Sequence, residues 1–132
     1  MRNSIIVTTL TIVLIFLYAV DAAAQTRRRI RFGKGASSAS VSGVIKGYAY
    51  RDYVIGAREG QTLSVALSGS SAADLAIFMP DGGNLGADST GVADWTGELP
   101  ASGDYVVRIL MPRSAARRKG AAARFALRIT IE

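Results

Sequence analysis

The side chains with the most chemical reach lie close together near the end of the sequence. Arg113, Arg117, Arg118 and Lys119 fall within one short stretch that holds no acid. Guanidinium groups form forked, charge-assisted hydrogen bonds with carboxylates, so a cluster of this kind suits an acidic cleft on another molecule. The same composition also describes a solvated basic loop, because exposed charges contribute little on their own. Tyr48, Tyr50 and Tyr53 form a second group. Tyr and Arg dominate many protein interfaces, but a strand that packs its rings into a core and leaves hydroxyls at the rim has the same pattern.

Catalytic chemistry is largely eliminated by what is missing. The sequence has no His and no Cys, which removes the commonest general base and any zinc or copper site made of those residues. The acids beyond residue 24 (Asp52, Glu59, Asp74, Asp81, Asp88, Asp94, Glu98, Asp104 and Glu132) are scattered over turns and loops, and their spacing marks no acid/base pair. Asp81-Gly82-Gly83-Asn84 with Asp88 has a faint likeness to a calcium loop. It lacks the ligand order of an EF-hand, and Asp, Gly and Asn are turn formers first. Ser102-Gly103 has no nucleophile-elbow flanks, and no phosphate-binding glycine loop precedes a helix. These absences point to a binding protein that is not an enzyme, with no metal and no cofactor.

The chain of 132 residues fits one domain. Met1-Arg2-Asn3 carries a positive charge, residues 5–20 are largely apolar, and Ala22-Ala23-Ala24 offers small residues for cleavage before Gln25. A signal peptide is therefore expected over residues 1–24, leaving residues 25–132 as the domain with no stable membrane anchor; an uncleaved anchor helix is the alternative. A domain exported without cysteines holds together by its core alone, which favours a bacterial periplasm. The net charge is +6 and the isoelectric point about 10.2. The excess gathers in Arg27-Arg28-Arg29-Ile30-Arg31 and in residues 113–119. Such patches suit nucleic acid, an anionic envelope surface or an acidic cleft, and export argues against nucleic acid.

The elements that must position these residues read as strands and turns. Leu99-Pro100-Ala101-Ser102-Gly103-Asp104 concentrates turn formers. Residues 105–110 are rich in β-branched and aromatic types and predict a strand that Pro112 terminates. Clean alternation over residues 62–68 and 124–131 predicts two more, with Leu63, Val65 and Leu67 facing in on one and Phe125, Leu127, Ile129 and Ile131 on the other. Further strands are expected over residues 29–34, 41–50 (Val44, Tyr48 and Tyr50 on one side), 52–57, 74–79 and 94–99. Residues 35–40 read as a linker, and residues 84–93 and 113–123 as loops, though the alanines after Ser114 could support a helical turn. About eight short strands separated by turn signals predict an all-β fold, an antiparallel β-sandwich.

Three blocks then carry a family resemblance: Ser42-Gly43-Val44-Ile45-Lys46-Gly47-Tyr48-Ala49-Tyr50-Arg51-Asp52-Tyr53, Ala57-Arg58-Glu59-Gly60-Gln61, and Leu99 through Leu110 followed by Arg113 and Ala116-Arg117. In order and spacing they resemble the periplasmic inhibitors of goose-type (g-type) lysozyme, the PliG family, over roughly residues 29–131. The resemblance implies a periplasmic β-sandwich that binds g-type lysozyme and blocks its peptidoglycan cleft, protecting the cell wall. It implies lysozyme-binding roles for Ser102, Gly103 and Tyr105, which match a Ser-Gly-x-Tyr motif, and for Arg113 and Arg117; Tyr48 and Tyr50 join them as candidate lysozyme contacts on residue type. Individual pieces also resemble the β-sandwich domains at the C-termini of secreted bacterial peptidases. A carbohydrate- or envelope-binding module that stacks Trp95 and the tyrosines on sugars is therefore the alternative.

Overall fold

The structure, a computed structural model, describes residues 26–132; the predicted signal peptide lies outside the described residues. Among them the chain forms β1 (Thr26–Arg29), β2 (Ser38–Lys46), β3 (Arg51–Ala57), β4 (Thr62–Gly69), β5 (Asp74–Phe78), a short 3₁₀ turn (Ala87–Ser89), β6 (Thr90–Val92), β7 (Asp94–Glu98), β8 (Gly103–Leu110), one helical turn α1 (Arg113–Ala116) and β9 (Ala122–Ile131). A five-stranded sheet runs β1-β3-β8-β5-β6, and a four-stranded sheet runs β2-β9-β4-β7. All pairs are antiparallel except β1 with β3, which is parallel. The architecture is the β-sandwich that the turn spacing predicts, with the parallel strand added at one edge. No helix of the described residues is long and apolar enough to cross a membrane.

Period-two alternation builds the core. On β9 Phe125, Leu127 and Ile129 are buried while Arg124, Ala126 and Arg128 are exposed. Leu63 and Val65 of β4 face the same interior. From the other sheet come Tyr53 and Ile55, Leu75 and Ile77, and Tyr105, Val107 and Ile109, all buried. Tyr53 meets Phe125 across the sandwich edge to face, with ring centroids 6.3 Å apart, an arrangement that adds to simple area burial. Each fully buried large aliphatic side chain contributes about 1.5–3 kcal/mol. Strands β8 and β9 lie inside their sheets, and their connection crosses from one sheet to the other.

Four elements differ from the sequence reading. The strand expected over residues 29–34 is instead β1, which ends at Arg29 after pairing with β3; Ile30 is buried beyond it, its N–H bonded to the carbonyl of Val54 at 2.9 Å. Strand β2 starts inside the supposed linker, at Ser38, and stops at Lys46, where Gly47 adopts φ +56° and turns the chain. Its inward set is Ala39, Val41, Gly43 and Ile45, so Val44 faces out and shares no strand side with Tyr48 and Tyr50, which lie past the strand. The apolar Val44 hides this register because its inward neighbour is a glycine. The Arg51 guanidinium fills that place, 2.5 Å from where a Cβ on Gly43 would sit. Residues 84–93 hold the 3₁₀ turn and β6, which pairs with β5. The 113–123 segment begins with the helical turn α1, which the run Ser114-Ala115-Ala116 favours by propensity.

Candidate functional site

Strand β8 separates the motif residues into two groups. Its eight residues span about 23 Å at roughly 3.3 Å per residue. Ser102 and Gly103 lie at one end of the sandwich, and Arg113 and Arg117 lie beyond the other.

At the first end, the turn before β8 is tied to its neighbours. The Ser102 hydroxyl accepts the N–H of Glu59 at 2.8 Å. Backbone bonds from Gly60 to Leu99 (2.9 Å) and from Leu99 to Gln61 (2.8 Å) join the same two turns. Gly103 has φ +141°, and a Cβ there would lie 2.8 Å from the ring of Pro80, so the β5–β6 turn closes directly over it. Tyr105 is fully buried. Its hydroxyl donates to the carbonyl of Ala101 at 2.7 Å and accepts the N–H of Ala101 at 3.2 Å, a corner that clamps the turn onto the strand. In the free protein Tyr105 thus has no exposed side-chain area and a fully engaged hydroxyl, and it shapes the loop from within. Beside it, Arg29 grips Asp104 with two hydrogen bonds of 3.1 and 2.6 Å. Hydrogen bonding by Arg29 holds the Asp104 carboxyl below the usual aspartate range.

At the second end, two connections pack together. The β2–β3 turn is pinned to the β8–β9 connection by the N–H of Gly47 donating to the carbonyl of Ala121 at 2.9 Å. The carbonyl of Ala116 in α1 lies 3.9 Å from the position of a Cβ on Gly47. Tyr48, at the tip of this turn, is 66% exposed, the most exposed large apolar-bodied side chain among the described residues. Ala116 is buried, whereas Arg113, Arg117, Arg118 and Lys119 are exposed. The ion pairs among the described residues involve none of these four cations. One surface thus carries an aromatic ring and several cations outside these ion pairs.

Tyr50 lies just behind this surface, half-buried. The guanidinium of Arg108 stacks over its ring, 3.9 Å from the centroid, with Phe78 at 5.0 Å. The same guanidinium makes a forked pair with Asp52 at 2.8 and 3.0 Å, and hydrogen bonding by Asp52 raises the Arg108 pKa above its usual value. Asp52 is almost fully buried, and Arg27 lies 3.7 Å away. Residue types alone gave no sign of this pair, because it depends on the register that sets Asp52 opposite Arg108. Tyr53 faces the core.

The alternative reading loses its main feature in this geometry. Trp95 pairs with inward-facing Val65, and its ring lies across Gly97, 2.6 Å from where a Cβ would stand. Its indole N–H is buried, so the ring is packed down and is not held out for stacking on sugars. No group of three or more acids capable of holding a metal ion occurs among the described residues. Asp81 instead accepts the N–H of Gly83 at 2.8 Å, closing a turn.

No family model matches the chain. An inhibitor of g-type lysozyme from Escherichia coli (strain K12) is 38% identical over 112 residues, covering 81% of this chain and 83% of that protein. The crystal structure of PliG from Aeromonas hydrophila, a periplasmic inhibitor of g-type lysozyme, superposes with a TM-score of 0.72 at 33% identity, covering 82% of this chain and 97% of that one. The fold alone extends to the pre-peptidase C-terminal domain of a Bacillus anthracis collagenase, with a TM-score of 0.53 at 8% identity, covering 80% of this chain and 94% of that one. With 38% identity to the Escherichia coli inhibitor over most of its length, the chain belongs to the family of periplasmic inhibitors of g-type lysozyme.

Proposed function

We propose that this protein binds a g-type lysozyme in the bacterial periplasm and closes its peptidoglycan-binding cleft with the end of the sandwich that bears Tyr48, Arg113 and Arg117. One observation carries the reading: the Gly47 to Ala121 hydrogen bond sets an exposed tyrosine beside a turn of unpaired arginines. A glycosidase cleft works with two carboxylates, and arginines inserted there form forked pairs while the ring displaces substrate. The protein performs no catalysis in this scheme. It removes access and leaves the enzyme's own barrier unchanged. Tyr50 supports the surface, and Ser102, Gly103 and Tyr105 shape the opposite end, which helps keep β8 in register. The Gly47 to Ala121 bond joins the two halves of the surface before binding, which lowers the ordering cost.

The test is inhibition of cell-wall lysis by a g-type lysozyme, with chicken-type and invertebrate-type enzymes as controls. The purified protein should suppress the g-type activity. Arg113→Glu with Arg117→Glu should weaken suppression by a factor of about 30 or more, since losing one partner of a desolvated charge pair costs about 2–5 kcal/mol. Equal potency of the double variant and the parent protein would remove α1 from the mechanism.

A further inference from the structure

The sequence reading grouped Tyr50 with the contact residues, yet its environment differs from that of Tyr48. One face of the Tyr50 ring is covered by the Arg108 guanidinium. That guanidinium is held in plane by the two hydrogen bonds it donates to the buried Asp52 carboxylate. Asp52 and Arg108 face each other across the β3–β8 ladder, so both anchors belong to strands inside the five-stranded sheet. Tyr50 stands immediately before β3, and Tyr48 lies two residues earlier in the same turn. The turn itself has few other ties: the Ala49 N–H bonds to the Lys46 carbonyl at 3.0 Å, and Gly47 bonds to Ala121.

We infer that the Asp52–Arg108–Tyr50 stack is a positioning device for the inhibitory surface, holding the Tyr48 turn against the α1 connection; this rests on the binding surface proposed above. A guanidinium has a plane and a fixed fork, and both are used here at once. One edge reads the carboxylate and one face reads the ring. Lysine retains the charge but has neither plane nor fork, so it breaks the relay while leaving the charge in place. The relay also reaches the second half of the surface, because Arg108 is carried on the strand that runs through buried Met111 into α1. The outer face of the five-stranded sheet therefore governs the geometry of an end it does not itself form.

The test compares Arg108→Lys, Tyr50→Ala and Tyr50→Phe by amide hydrogen exchange on the free protein and by inhibition of a g-type lysozyme. Arg108→Lys and Tyr50→Ala should speed exchange in residues 46–50 and leave residues 58–61 and 99–102 as in the parent. Both should weaken inhibition about tenfold, mainly through faster dissociation, as a loosened surface pays ordering cost on binding. Tyr50→Phe keeps ring and stack and should recover both readouts. Tyr50→Ala leaves the buried ion pair untouched, so it stays informative if Arg108→Lys fails to fold. Unchanged exchange in residues 46–50 for both disruptive variants overturns the inference, as does a Tyr50→Phe variant as weak as Tyr50→Ala, which would make the hydroxyl a direct contact. A parent protein that inhibits nothing defeats the proposed function alone, because exchange in the free protein still reads the relay.

Discussion

Replacing Tyr105 with Phe separates scaffold from contact at the motif where the two are easiest to confuse. The substitution removes one oxygen from a fully buried ring and changes no exposed surface. It deletes two hydrogen bonds to one residue, the hydroxyl's donation to the Ala101 carbonyl at 2.7 Å and its acceptance of the Ala101 N–H at 3.2 Å. Each net bond contributes about 0.5–1.5 kcal/mol. Ala101 is only half-buried, so water can partly replace what is lost, and the total is about 2 kcal/mol. Unfolding entropy near 2.1 cal/mol/K per residue gives about 220 cal/mol/K for the described residues, so the melting temperature should fall by about 9 °C. Circular dichroism melts measure this, and lysis assays well below the transition should show inhibition within about twofold of the parent. A variant with an unchanged melting temperature and lost inhibition would refute the reasoning, because it would place the hydroxyl against lysozyme.

Two other sites give independent checks. Gly97→Ala sets a methyl 2.6 Å from the Trp95 ring, and the ring must move outward. The expected cost is about 1–3 kcal/mol, with a red shift of the emission from the single Trp of the chain. For the Arg29–Asp104 pair, the folded carboxyl is depressed by its hydrogen bonds from Arg29. Its stabilising effect is therefore present above the ordinary aspartate pKa and is lost as pH falls through the lower folded value. Arg29→Gln should return the Asp104 midpoint toward the ordinary range in a carboxyl-carbon NMR titration and flatten the acid limb of stability.

Local pattern made much of the sandwich readable. Strands β4 and β9 alternate so regularly that their inward faces follow from the residues alone, and the turn formers before β8 mark its start. Legibility failed where a neighbour distant in sequence completes the pattern. Gly43 occupies an inward position that Arg51 fills, so β2 looked apolar on the wrong side. Strand β1 carries little apolar signal and is fixed by pairing with β3. The candidate site was half legible for the same reason. The cluster of cations after β8 is local, whereas the exposure of Tyr48 follows from where β2 stops. That Ser102 and Arg113 lie at opposite ends becomes visible only once the turn and the strand between them are given a length. The Asp52–Arg108 pair spans 56 residues, and single-sequence periodicity carries no information about such a partner.

The distribution of ion pairs distinguishes the arginines after β8 from three others that already hold a carboxylate. Arg27, Arg29 and Arg108 already face Asp52 or Asp104. To serve an incoming carboxylate they would first have to leave an existing one, so their gain on binding is a difference between two similar pairs. Arg113 and Arg117 have no such commitment among the ion pairs of the described residues. The full attraction of a desolvated partner is open to them. The net charge of +6 repels a basic partner at long range, but that repulsion fades over a Debye length of about 8 Å at physiological salt. A forked contact inside a closed cleft is screened far less. Local pairing can therefore outweigh net repulsion, provided the arginines arrive already oriented, and the pinned turn and one-turn helix supply that orientation.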